Sequence, residues 1–138
     1  MIEVPATSAF VLSFANQDVY RGAAARAFLS SIDLSAAEPI IAQFKDNHEE
    51  ITVELLNRKY GVAKCCRRYL DENPTAQVIQ LRGGLDPLSI DLADGYPKAH
   101  FFDVDMANMS LKEEINRKIG DPDVSFLTAN LADIPPLI

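Results

Sequence analysis

The stretch that decides the fold runs from Ala76 to Asp105, AQVIQLRGGLDPLSIDLADGYPKAHFFDVD. Val78, Ile79 and Leu81 form a short apolar run after Pro74, and Gly83-Gly84 breaks it. Pro87 stands where a helix has its first residues, a place where proline is tolerated because that N–H lacks an intrahelical acceptor anyway. Phe101, Phe102 and Val104 form a second apolar run, carrying Asp103 and Asp105 at its end. The pattern reads as strand, glycine turn, helix, and strand ending in acid. That is half of a nucleotide site: glycines let backbone N–H groups approach a ligand, and the acid can hold ribose hydroxyls. The turn Arg82-Gly83-Gly84-Leu85-Asp86-Pro87 does not supply G-x-G-x-x-G, which makes a nicotinamide-type enzyme a remote reading.

The same stretch resembles the leucine carboxyl methyltransferase-like group of S-adenosylmethionine-dependent O-methyltransferases, which includes polyketide-pathway enzymes. Those carry a strand ending in V-x-L-G-[AC]-G-L-D-[TP], a helix, and then [FY]-[FY]-[ED]-[VL]-D. The corresponding places here hold Val78-Ile79-Gln80-Leu81-Arg82-Gly83-Gly84-Leu85-Asp86-Pro87 and Phe101-Phe102-Asp103-Val104-Asp105, at a spacing that fits. The likeness covers roughly Thr75 to Ala132. It implies that Gly83, Gly84 and Asp86 lie at the methionine end of a bound S-adenosylmethionine, with Asp103 and above all Asp105 at the ribose. Arg82 replaces the family's first glycine. If that position needs positive φ, a long side chain there costs about 1 kcal/mol or more; Arg82 folds away, or pairs with Asp86 or Asp105, or occupies the site. The family's arginine two residues after Asp86 is Leu88 here.

After the second strand, Ser110-Leu111-Lys112-Glu113 reads as a capping box opening a helix whose Leu111, Ile115 and Ile119 face the sheet. Gly120 stops that helix. Val124 to Leu127 is a third strand, leading into Thr128-Ala129-Asn130-Leu131. The family has A-x-D-L or close to it there. By resemblance Asn130 accepts from the adenine amino group, more weakly than a carboxylate because it is uncharged, and the Leu131 N–H meets a ring nitrogen.

Residues 1–74 read as an N-terminal helical segment. Thr7 or Ser8 caps a first helix through Phe14, and Asp18 a second through Ala23-Ala24-Ala25 to Leu29. Ser35 begins a third, with Glu38 at capping-box spacing. Ile51, Leu55, Leu56, Val62, Cys66, Tyr69 and Leu70 fall near one helical face, with a kink or break expected at Gly61 and an end at Asn73-Pro74. The family's N-terminal segment covers the cofactor and often supplies a cation to its carboxylate. Arg58, in Asn57-Arg58-Lys59-Tyr60, stands roughly where the family has R-[TR]-R-[FY]-[DI], and a guanidinium fork matches a carboxylate.

The chain has 138 residues, one domain's length, and a net charge of −7 with no basic tract, which argues against nucleic acid as a partner. No apolar run is long enough to span a membrane, and no basic region with an apolar core opens the chain. Cys65 and Cys66 are neighbours in a helical pattern, where a mutual disulfide is disfavoured, and a reducing cytoplasmic setting is expected. His48 and His100 lack metal-ligand spacing, so no metal is expected.

The expected architecture is α/β: N-terminal helices (1–74) plus a half Rossmann-like parallel sheet of methyltransferase type (75–138), with three strands in the order 3-2-1 and one compact domain overall. The first strand would be an unprotected apolar edge, for which an oligomer covering it, or a longer gene product, is expected. Two readings of function follow. One is a divergent or truncated S-adenosylmethionine-dependent O-methyltransferase, acting on a small-molecule or protein carboxylate, with no general base that can be named. The other is a catalytically inactive module of the same fold, for binding or interaction.

Overall fold

The structure is a computed structural model and describes residues 1–15 and 18–133. Its centre is the stretch quoted above. The strands β3 (Gln77–Leu81), β4 (His100–Asp105) and β5 (Val124–Thr128) form one parallel sheet in the order β3-β4-β5. Ile79 lies opposite Phe102, and Phe102 opposite Ser125. Helices α5 (Leu88–Gly95) and α6 (Met109–Lys118) make the two crossovers. This is the expected strand order, with β3 at an edge.

One face of the sheet is covered. Val78 and Phe101 pack on Leu70, Leu92 and Ala99, while Val124 and Phe126 pack against the cluster holding Leu85, Ile90 and Ile115. Each fully buried Leu or Ile here contributes about 1.5–3 kcal/mol relative to exposure. The opposite face leaves Ile79, Leu81 and Leu127 about half exposed, at 59%, 56% and 49%. Because side chains alternate along a strand, these three share a side, on which Val104 of the central strand between Leu81 and Leu127 is nonetheless buried.

The N-terminal segment is helical but also contains a two-stranded parallel ribbon that sequence reading missed, β1 (Ile2–Glu3) beside β2 (Ile32–Asp33). Helix α1 (Ala6–Leu12) starts after Pro5, with Thr7 and Ser8 inside it and no side-chain cap, and ends before Phe14. Helix α2 (Ala23–Ser30) is not capped by Asp18; its N-terminal N–H groups meet carboxylates from α5 instead, Gly22 N–H to Asp91 (2.6 Å) and Ala24 N–H to Asp94 (3.4 Å). The expected capping box at Ser35 is replaced by a 3-10 turn, in which the Ser35 N–H donates to Asp33, followed by α3 (Glu38–Gln43). Helix α4 (His48–Glu72) runs through Gly61 without a break. No neighbour lies within 4 Å of a Cβ built there, so nothing forces a kink.

Val4, Leu12 and Phe28 of the N-terminal part share a core with Leu85, Ile90 and Ile115, so the helices pack on the sheet unit itself. Residues 134–138 of the expected second segment lie outside the described residues.

Candidate functional site

The loop from β3 to α5 is built from two left-handed residues around a glycine. Arg82 has φ 54° and Gly84 φ 52°. The position that the resembling family gives to glycine therefore does require positive φ, and Arg82 adopts it at a cost of about 1 kcal/mol. Gly83 is constrained differently: a Cβ there would run into the Gln80 carboxamide, so a larger residue would have to displace that side chain. Gln80 lies across the turn, and its carbonyl oxygen accepts the Ser89 N–H at 3.1 Å. Asp86 accepts the Leu88 N–H at 3.0 Å. Two N–H groups that open α5 are thus satisfied by the chain's own side chains.

Asp105 holds the same turn from the end of β4. Its two oxygens accept from Gly84 N–H (2.9 Å) and Met106 N–H (2.7 Å). Asp103, expected beside it on the same face of the strand, is on that face but is 0% exposed. It pairs with Lys112 and accepts from the Ser89 hydroxyl at 2.7 Å. A fully buried carboxylate already holding an ammonium cannot reach ribose, so the assignment of Asp103 to a ligand is corrected. The Lys112 ammonium also donates to the carbonyls of Gly84 (3.1 Å) and Asp86 (2.5 Å), pinning the turn from below. Burial holds its pKa below the ordinary lysine value, with Asp103 pulling the other way. The capping box expected at Ser110-Leu111-Lys112-Glu113 does not form: α6 starts after Asn108, at φ 65°, with no side-chain cap.

Beside this turn lies a cavity of about 500 Å³, between α4, the open edge of β3 and the residues around Tyr20. Its walls are largely apolar, with Val62 and Cys66 from α4, Val78 and Ile79 from β3, and Leu88 from α5. Arg58, Lys59, Arg82 and Asp86 supply its charged groups, with Tyr20, Gln80 and Ser89 as further polar residues and Gly83 beside them. Lys59 pairs with Asp86, and its ammonium lies 3.3 Å from the Tyr20 hydroxyl. Burial pushes the Tyr20 phenol far above its ordinary pKa, with the charge of Asp86 adding to the effect. Arg82 forms an ion pair with neither Asp86 nor Asp105.

The expected site residues therefore divide. Arg58, Arg82, Gly83 and Asp86 come together at the cavity. Gly84 and Asp105 form the turn's own hydrogen bond. Asn130 lies past the end of β5, where its carbonyl oxygen accepts the Ala132 N–H at 3.0 Å, and Leu131 opens the 3-10 turn that this bond stabilises. Three residues that sequence reading passed over belong to the site or its support: Lys59, Gln80 and Lys112. For Lys59 a signal existed. Positions 56, 59, 63 and 66 recur at helical spacing, which puts Lys59 in the buried stripe and turns Arg58 about 100° away from it.

No protein-family model matches this sequence, and no curated protein or solved structure matches it either.

Proposed function

We propose that this chain is a divergent S-adenosylmethionine-dependent O-methyltransferase-like protein whose ligand site is the cavity beside β3. The observation that carries the reading is the gathering of Arg58, Arg82, Gly83 and Asp86 around about 500 Å³ of largely apolar space that runs along a parallel strand to its carboxyl end. Open α/β sheets bind ligands at that end, and a mostly apolar cavity of this size with a few convergent polar groups is typical of small-molecule sites. Arg58 and Arg82 fit the carboxylate of an amino-acid moiety. The ribose end fits less well, because Asp105 already accepts two backbone N–H groups. When bound, S-adenosylmethionine would supply an activated methyl group. The chain's own part in the reading is to bind and orient it, for transfer to an oxygen of a small-molecule or protein carboxylate.

A second reading, an inactive module of the same fold, is favoured by a specific arrangement. Gln80 lies over Gly83 and Asp105 is turned into the loop, so groups of the chain itself stand where the resembling family places cofactor contacts.

The test is calorimetric titration of the 138-residue chain with S-adenosylmethionine and with its demethylated product. The first reading expects saturable binding that Arg82→Ala weakens about tenfold or more, the loss of a charge-assisted hydrogen bond. A folded chain that binds neither compound sinks it and leaves the second. Binding that appears only in Arg82→Gly also favours the second.

A further inference from the structure

We infer that the open edge of β3 pairs with the same edge of a second copy, antiparallel, about a two-fold axis through Ile79. The inference does not rest on the cofactor reading.

It starts from the ladder register. His100 N–H donates to Ala76 O at 2.9 Å, and Arg82 N–H donates to Val104 O at 2.8 Å. With Gln77 opposite His100 and Leu81 opposite Val104, residues 76, 78, 80 and 82 bond β4. Gln77, Ile79 and Leu81 turn their N–H and C=O groups to the other side. No described strand pairs there. The result is a row of three donor–acceptor pairs, spaced two residues apart and exposed as an open edge.

Such a row is its own complement. In an antiparallel pair centred on Ile79, Ile79 faces Ile79 of the second copy, Gln77 faces Leu81, and Leu81 faces Gln77. All three pairs fall in the hydrogen-bonded positions of an antiparallel ladder, giving six N–H···O bonds and continuing the sheet from three strands to six. The side chains agree with the backbone. Ile79 and Leu81 are more than half exposed; across the axis Ile79 would meet Ile79 of the second copy directly, and Leu81 would reach that same side chain on the diagonal. Val62 and Tyr69 of α4, seven residues apart and so near one face of the helix, are likewise 50% and 57% exposed; Val62 lines the groove beside β3.

Charge also matches. Arg82, just past the strand's end, is exposed, and Glu72 is exposed at the carboxyl end of α4, where the helix dipole is negative. The antiparallel register sets Arg82 opposite Ala76 of the second copy, at the end where that copy's Glu72 lies. The overall charge of −7 opposes association, but it is screened over about 8 Å at 0.15 M salt.

The experiment is sedimentation velocity of the intact chain at physiological salt, with circular dichroism to establish folding and amide hydrogen exchange on the same sample. A species of twice 15.2 kDa is expected, with the amides of Gln77, Ile79 and Leu81 protected. Ile79→Lys sets like charges opposite each other, and Ile79→Pro removes the outward N–H together with the aliphatic side chain at an edge position where proline is tolerated. Each should leave a folded monomer with at least a tenfold weaker self-association. Arg82→Glu should weaken the dimer, and adding Glu72→Arg should restore it. A folded wild type that is monomeric with fast exchange at these amides overturns the inference. So does a dimer indifferent to both Ile79 variants.

Discussion

Lys112 of α6 and Asp103 of β4 form an ion pair in which neither side chain touches water. The pair sits directly beneath the β3–α5 turn, because the same ammonium bonds the Gly84 and Asp86 carbonyls. Two charges brought out of water are tolerated only when matched and further hydrogen-bonded. Ser89 and the two carbonyls provide that here, although one Asp103 oxygen has no hydrogen-bond partner.

Removing one partner should therefore be far worse than removing both. Lys112→Met is expected to destabilise the fold by about 3–5 kcal/mol, since it strands a buried carboxylate and two carbonyls. Adding Asp103→Leu should recover a large part of that loss. Urea midpoints of the two variants decide it, and equal losses in both would show that the carbonyl contacts, not the charge pair, hold the turn.

Arg82 offers a test of backbone strain that is independent of ligands. At φ 54° it occupies a region that glycine enters freely and other residues do not. Arg82→Gly should exceed Arg82→Ala in stability by about 1 kcal/mol, because both lose the side chain but only one relieves the strain. Equal unfolding free energies would argue against a strained turn.

Tyr20 should give the fold an alkaline limit. Its folded pKa lies above the ordinary value of 10.0, first through burial and then through Asp86. The neutral phenol is thus favoured by the folded state. That stability is fully present below about pH 10 and is lost as pH rises further, by about 1.4 kcal/mol per pH unit. Tyr96 is raised in the same direction, so the comparison is with Tyr20→Phe, which should show a shallower decline between pH 10 and 11. Parallel declines would remove Tyr20 as the cause.

Gln80 is the side chain that covers Gly83. Gln80→Ala should cost about 1 kcal/mol by leaving the Ser89 N–H without its acceptor. It should also open the space above the glycine. If the cavity takes S-adenosylmethionine, calorimetry should record tighter binding in this variant than in the wild type, whereas weaker binding would mean that Gln80 is itself a ligand contact.

Much of the architecture was legible along the chain. Val78 to Leu81, Phe101 to Val104 and Val124 to Leu127 are short apolar runs bounded by Pro, Gly and acid, and each is a strand. The parallel order followed because helical crossovers between consecutive strands are right-handed. The exposed edge of β3 followed from that order. Local capping was not legible in the same way. The spacings at Ser35 and Ser110 matched capping boxes, yet Asp33 meets the first turn and Asn108 opens α6 without any side-chain bond. A hydroxyl and a carboxylate three residues apart are common in solvated sequence, and only the packing of the segment decides whether they bond.

The sequence by itself determined which residues make the three-stranded sheet, where the glycine turn falls, and that Asp105 stands at its mouth, because these depend on local backbone chemistry and on the period of apolar side chains; the β1–β2 ribbon, two residues a side, is too short to leave such a period. Only the tertiary structure decided what the charged groups do. Asp91 receives Gly22 N–H from 69 residues away, Asp86 takes Lys59 from 27 residues away, and Asp103 takes Lys112. A carboxylate at a strand end has the same sequence signature whether it faces a ligand or a buried ammonium. The difference is set by which helix packs over it, and that is a property of the assembled core.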